Sequence, residues 1–451
     1  MKKSSVSLTE GPIARLILTF ALPILASQVF QNLYHSVDAI VVGRLVGTTA
    51  LAAVTSSTDI SHLLIGFFSG LSVGAGVLFA RYFGAEDYKR LNESIHTALT
   101  FAILIGVGMA ALGIVLTDAI LRMVACPEDV FPEAAGYLRI YLVGILFTSI
   151  YNVGSGILRA VGDSKNPFRY VVVASLTNIV LDVVFVAWFR LGVNGVAYAT
   201  VVSQFCSVFL LYRRLTRADD VYRVSLRALG IRKEYLKEII RLGIPTAIQM
   251  SLVSISNLFV QRYINAFGSS VMAGVGAAKK IDKFIGLIPQ SIALASMTFV
   301  SQNLGAEKPE RAFRGVRTTL GLALAFVLVP GILLYTFARP VSGIFTDDPD
   351  ALSVAAAMLR TMVPFFFFQA LNQTFMSASR GFGRSRAVMW LSMAWMIVMR
   401  QIFLAVSMGI SHTVRNVYFA FPVGWACSAA FVMLYFFFAI YRPYLHKETA
   451  A

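Results

Sequence analysis

Asn178 and Asp182 stand four residues apart in the otherwise apolar run SLTNIVLDVVF (175–185). On a helix this spacing stacks them on one face. They then offer an amide and a carboxylate oxygen to one point, as a sodium ion or a proton relay requires. A carboxylate at a bilayer centre costs about 2.5–3.5 kcal/mol on insertion scales. A helix keeps one only where it meets a cavity or a partner; the alternative is a neutral, hydrogen-bonded structural pair inside a bundle. A second carboxylate, Asp38, lies in NLYHSVDAIVVG, with Tyr34 and His35 on the same face. His35 reads as a satisfied core histidine or as a proton carrier. Asn152 in SIYNVGSGI and Thr200 in VAYATVVSQ carry further oxygens, although a helical threonine hydroxyl can bond its own backbone. Pro23 interrupts the first apolar block, removes an internal hydrogen bond and permits a kink.

The elements that position these residues follow from composition. The chain has 451 residues, 57% hydrophobic and 14% charged, against about 25% charged in soluble domains. Long apolar blocks recur throughout, which predicts a polytopic membrane protein rather than a soluble domain with an anchor. Counting about 20 apolar residues per span gives about twelve helices, near 13–42, 51–80, 94–122, 134–159, 168–189, 192–214, 236–265, 271–302, 312–338, 352–379, 386–408 and 414–441. The first block, from Ile13, lacks a small-residue cleavage site and reads as a permanent span. The formal charge of +16 sits between apolar blocks, which points to membrane topology and not to nucleic acid. Basic connections alternate with short or acidic ones such as ACPEDVFPE and FTDDPDA. The positive-inside rule then puts both termini in the cytoplasm and the chain in the cell (inner) membrane. Cys126, Cys206 and Cys427 have no pairing or metal spacing and read as small buried hydrophobes.

The two halves resemble each other. FARYFGAEDYKR (79–90) matches VSQNLGAEKPER (300–311), LRAVGDSK (158–165) matches SRGFGRSR (379–386), and Tyr137-Leu138-Arg139 matches Met358-Leu359-Arg360, all at one offset of 221 residues. One offset in three places indicates an internal duplication. Six spans per half make the repeats parallel, related by an axis along the membrane normal. The expected fold is therefore an all-α polytopic membrane protein. Two six-helix lobes, 1–214 and 239–451, would flank a central cleft, with 215–238 as a cytoplasmic linker and hinge. The offset also pairs Asp59 with Lys280, an expected outer gate across that cleft; local pairing of Asp282 with Lys279, and of Asp59 with His62, is the alternative. The glycines Gly70, Gly74 and Gly76 read as sites of close helix packing.

On these motifs the chain resembles the multidrug and toxic compound extrusion (MATE) family over essentially its whole length, and within it the DinF-like branch. The twelve spans, the duplication, LRAVGDSKNPF after the fourth span and GAE after the second and eighth carry the likeness. The resemblance implies a cation-coupling site at Asp38, Asn178, Asp182 and Thr200, with Asn152 as a helper amide and Pro23 as the bending proline. It implies H⁺ or Na⁺ as coupling ion, Na⁺ sitting at the first four of these residues. GIPTAIQMSLVSISN lacks the helix-seven glutamate of the NorM-type branch, so no C-lobe ion site is carried over. The implied activity is secondary active efflux of lipophilic cationic drugs or dyes by rocking of two lobes, in a monomer. A lipid-linked saccharide flippase of the same superfamily is the alternative, and a receptor or channel a third reading. Tyr34, His35, Gln369 and Asn372, the last two in the aromatic run PFFFFQALNQTF, are candidate cavity residues. No GxxxxGK[ST] loop and no nucleophile–base or metal-ligand constellation occurs, so neither ATP nor an enzymatic cofactor is expected.

Overall fold

The computed structural model describes residues 7–123, 126–217 and 220–448; within them the side chains at 35, 39, 48–49, 51–52, 55–59, 62 and 446–448 lie outside the described residues. Two sequence-derived candidates, His35 and Asp59, fall in that group. Every regular element among the described residues is helical, and twelve helices are long and apolar enough to span a bilayer. They are α1 (Ile13–Leu45), α2 (Thr48–Gly84), α3 (Tyr88–Met123), α4 (Phe131–Ala160), α5 (Lys165–Trp188) and α6 (Gly192–Arg217). The second six are α7 (Lys233–Asn265), α8 (Ser269–Gly305), α9 (Pro309–Thr336), α10 (Pro349–Gly381), α11 (Ser385–Ile410) and α12 (Val414–Leu445). Several run past their apolar stretch, because polar residues such as those opening α3 continue the helix into the connecting loop. Large aliphatic side chains stay exposed along α3 (Leu112, Val115) and α9 (Leu328, Ile332). Water would penalise such faces; hydrocarbon does not.

The duplication is written in the backbone. Gly47 and Gly268, 221 residues apart, precede α2 and α8 with φ of 129° and 89°. Glu86 and Glu307, again 221 apart, close the same two helices in the left-handed region at 55° and 54°. That conformation costs a non-glycine residue about 1–2 kcal/mol. It is held by the turn it closes: Asp87 N–H donates to Tyr82 O (3.1 Å), and Lys308 N–H to Asn303 O (2.8 Å).

The chain groups into two compact units, one built from Pro23–Ser251 and the other from Leu8–Leu22 with the chain from Leu252 onward. It passes between them inside α1, immediately before Pro23, and inside α7, after Ser251. In the second unit the N-terminal segment is fastened to α8, where Gln302 Oε1 accepts from Leu8 N–H (2.9 Å) and Asn303 donates to Leu8 O (3.2 Å). In the first unit the stretch after α6 is packed rather than loose. Tyr222 is fully buried, Val224 N–H donates to Leu215 O (2.9 Å), Ser225 N–H to His96 Nε2 (3.0 Å), and Arg232 pairs with Glu93. The expectation of a hinge there rested on polarity alone. The alternation of Tyr222 and Val224 with polar residues instead lets the strand-like stretch bury one side on α3 and α6.

α7 approaches α2 within the first unit. A Cβ on Gly74 would lie 2.3 Å from Gly243 Cα, and one on Gly70 2.5 Å from Ala247 Cα, whereas at Gly76 the nearest atom is an ordinary 3.9 Å away. Two of the three packing glycines therefore permit backbone contact, and the third does not require it. Gly74→Val is expected to destabilise the detergent-solubilised protein by about 1–3 kcal/mol, read as a lower thermal midpoint, with Gly76→Ala near wild type.

Candidate functional site

In the Pro23–Ser251 unit, two apolar clusters are separated by a polar stratum. Along α2 it falls at Ser69, between Phe68 and Leu71; along α4 at Thr148 to Asn152, between Ile145 and Val153; along α6 at Thr200 to Ser207, between Ala197 and Leu211. A cavity of about 120 Å³ opens in this stratum, with Gln31, Tyr34, Ser69, Asn152, Asn178 and Gln204 in its wall. At roughly 10–15 Å³ per water, it has room for several waters or a partly hydrated ion.

One helical turn beyond Asn178 lie the carboxylates. Asp182 is completely buried and Asp38 is 7% exposed, and the two carboxyl groups are within hydrogen-bonding reach of each other. Among the described residues no donor reaches either oxygen of Asp182, and neither polar atom of the Asn178 amide has a partner. As two anions the carboxyls repel; one proton between them turns the contact into a hydrogen bond, and a cation beside them removes the repulsion. Phenols crowd the pair. Tyr34 and Tyr137 are near enough to interact electrostatically with both carboxylates and Tyr141 with Asp38, and the Tyr137 and Tyr141 rings stack at 6.0 Å and 17°. Immediately after Asp182, α5 widens into a π-helical turn, Val184–Trp188, a feature that recurs at functional sites.

The structure thus joins Asp38 to Asp182 and puts Tyr34, Asn152 and Asn178 around one cavity. It binds Asn152 at both ends: its amide N–H donates to Thr148 O (2.9 Å) and its Oδ1 accepts from Ser69 (3.2 Å). Thr200 is buried, with its hydroxyl donating to Val196 O (3.0 Å), the self-bonding that the sequence allowed. Asn372 belongs to the other unit, where Ser428 donates to its Oδ1 (2.9 Å) and its Nδ2 meets the Met396 sulfur (3.3 Å). Gln369, also there, packs against Gly286. Lys280 is exposed with its ammonium 5.8 Å from the Phe345 ring centroid; among the described residues no Asp282–Lys279 ion pair is formed, and Asp282 Oδ1 is buried without a partner. Tyr137, Tyr141 and Gln204 were not singled out as site residues from sequence; the first two carry the signal of two tyrosines four apart in an apolar helix.

Twelve spans, a tandem repeat and a carboxyl pair buried beside a polar cavity define a polytopic membrane transporter. The MatE family model matches residues 23–184 and again 245–406, so one description fits the chain twice, beginning each time at a helix-interrupting proline. The chain is similar to a probable multidrug resistance protein, YoeA, of Bacillus subtilis (strain 168), at 30% identity over 441 residues and 95% of each chain. Its fold matches an outward-facing multidrug resistance MATE transporter of the MOP superfamily, at 24% identity with a TM-score of 0.90 over 96% of this chain and 97% of that one. It also matches a MOP superfamily transporter from Pyrococcus furiosus Vc1, described as having a binding pocket of reversed polarity, at 25% identity with a TM-score of 0.89 over the same shares. The chain belongs to the MATE family of multidrug transporters; it is a multi-pass membrane transporter and not an enzyme.

The bonds at Asn152 make a stability prediction. Asn152→Ala removes the Ser69 bond that ties α2 to α4, together with the bond to Thr148 O within α4, and is expected to cost about 1–3 kcal/mol, seen as a lower melting temperature. Thr200→Ala, which loses only a hydroxyl already bonded to its own helix, is expected to melt close to wild type.

Proposed function

We infer that the protein is a secondary active multidrug exporter in which the Asp38–Asp182 pair is loaded by H⁺ or Na⁺ from outside the cell as amphipathic molecules leave. The observation that carries this reading is the contact between two buried carboxyl groups with no donor to Asp182 among the described residues. Burying one charge without compensation is expensive, and burying two of like sign beside each other is more so. A proton or a hard monovalent cation neutralises the pair, and its arrival and departure change the free energy of the surrounding helices. For sodium, the oxygens of Asn178 and Thr200 are the additional donors; for a proton, the tyrosines of α1 and α4 complete a relay. Lipophilic cations compete for the same carboxylates, which is how loading displaces them. In an ion-coupled cycle this differential binding is what biases one conformation against another.

Pro23 is the proposed bending point. It lies in α1 where the chain passes from one unit to the other; lacking an N–H, it cannot bond the Thr19 carbonyl one turn back, while Ser27 Oγ donates to the Pro23 carbonyl (2.7 Å).

In proteoliposomes with an imposed pH or sodium gradient, Asp38→Asn and Asp182→Asn are each expected to reduce dye efflux to the level of empty vesicles while the protein still inserts and elutes as a folded species. Normal driven efflux by either variant removes that residue from the coupling site. Imposing one gradient at a time identifies the ion. Pro23→Ala is expected to keep dye binding but slow transport severalfold; unchanged turnover would mean that the proline only shapes a static helix.

A further inference from the structure

The unit that continues from Leu252 holds a cluster of the opposite sign. Arg400, on α11, is 5% exposed. One guanidinium nitrogen, Nη2, donates to Ser256 Oγ on α7, and Nε has no partner. Ser256 is further engaged by Gln401, whose Nε2 lies 3.1 Å from both its hydroxyl and its carbonyl. Lys279, on α8 and partly exposed, donates to Gln261 Oε1 (3.1 Å) and is close enough to Arg400 to be repelled by it. Phe421 of α12 lies against both cations, its ring centroid 5.6 Å from Arg400 Cζ and 5.8 Å from Lys279 Nζ.

What the cluster lacks is an anion. Among the described residues no carboxylate lies within salt-bridge distance of Lys279 or Arg400. Asp282, three residues from Lys279 on α8, keeps its Oδ1 buried and unbonded. Neutral acceptors and an aromatic face compensate buried cations only in part, and two cations held together repel. Intramembrane cations without an anionic partner mark ligand or ion pathways. The backbone supports that reading, since α11 passes through a π-helical turn, Met393–Val398, directly before Met399 and Arg400.

We propose that Lys279, Arg400 and Phe421 form a binding subsite for the anionic group, a carboxylate or phosphate, of an aromatic amphiphile. The guanidinium Nε and the Lys279 ammonium supply donors to the anion, and Phe421 packs against the adjoining ring. This goes beyond the ion-coupling reading: it gives the second unit a role in choosing cargo and extends that cargo to acids and zwitterions. It rests on the exporter reading only for the word cargo, because binding can be measured with no gradient at all.

The test uses the full-length protein in phosphatidylcholine nanodiscs and 1-naphthyl phosphate as the probe, with neutral 1-naphthol as its matched control, by equilibrium dialysis. Wild type is expected to bind the phosphate at least tenfold more tightly than the naphthol. Lys279→Gln and Arg400→Gln should each erase that preference, Lys279→Arg should retain it, and Arg360→Gln, an exposed charge elsewhere on the second unit, should leave it unchanged. Because Lys279 is partly exposed, its variant remains informative if Arg400→Gln fails to fold. Adding phosphatidylglycerol to the discs separates the sources of the anion: competition assigns the subsite to a lipid headgroup, and its absence to a soluble acid. Equal binding of phosphate and naphthol by wild type, or a Lys279→Gln protein that still prefers the phosphate, overturns the proposal.

Discussion

Two carboxyl groups, Asp38 and Asp182, are buried against each other among helices that must otherwise be apolar, and much of the first unit is arranged around that contact. Hydrocarbon on one side and tight helix packing on the other leave no bulk water to solvate them. The chain meets the constraint by interrupting its apolar clusters at one level on α2, α4 and α6 with small hydroxyl and amide side chains. A cavity forms there, and Asn178 connects it to the carboxyl pair one turn away. The backbone contacts of Gly70 and Gly74 with α7 and the Ser69–Asn152 bond between α2 and α4 hold the walls in place. In this account the rigidity of the walls matters as much as the charges, because an ion can bias the helices only if they cannot relax around it.

The two units share a backbone plan and differ in chemistry. Paired left-handed residues at Glu86 and Glu307, and paired glycines at Gly47 and Gly268, repeat at the same offset. Yet the first unit buries carboxylates and the second buries Arg400 beside Lys279. Duplication supplies a frame whose turns and packing are constrained, whereas the polar positions inside it diverge freely. Fold alone therefore does not settle cargo. The π-helical turns beside Asp182 and before Arg400 fall at different places along the repeat, which fits separate local adjustment of the two sites.

Much of the fold was legible in the sequence because a bilayer imposes a length on every apolar run, and all twelve spans came from that rule. The repeat was legible because turns need particular residues, as in the two GAE motifs. Asn178 and Asp182 stood out because polar residues are costly in lipid. Tyr137 and Tyr141 did not, since tyrosine is at home in packed helices and its hydroxyl becomes informative only once a carboxylate is seen beside it. Arg400 was missed because a lone arginine within the span 386–408 has no motif around it in the sequence, and only its burial against Phe421 gives it meaning. The stretch after α6 looked loose because its buried residues are few and scattered among charges. The bond of Asn152 to Ser69 and those of Asn372 depend on partners 83, 24 and 56 residues away, which no local pattern reveals.

The claim on which the rest turns is that Asp38 and Asp182 act as one ion-loading pair. Infrared difference spectroscopy of the reconstituted protein, between acid and alkaline media and with and without sodium, reads the protonated carboxyl stretch directly. The account predicts a buried-carboxyl band that responds to pH or to sodium and that is lost or shifted in both Asp38→Asn and Asp182→Asn. A band that either variant leaves untouched, or that neither protons nor sodium change, would contradict it.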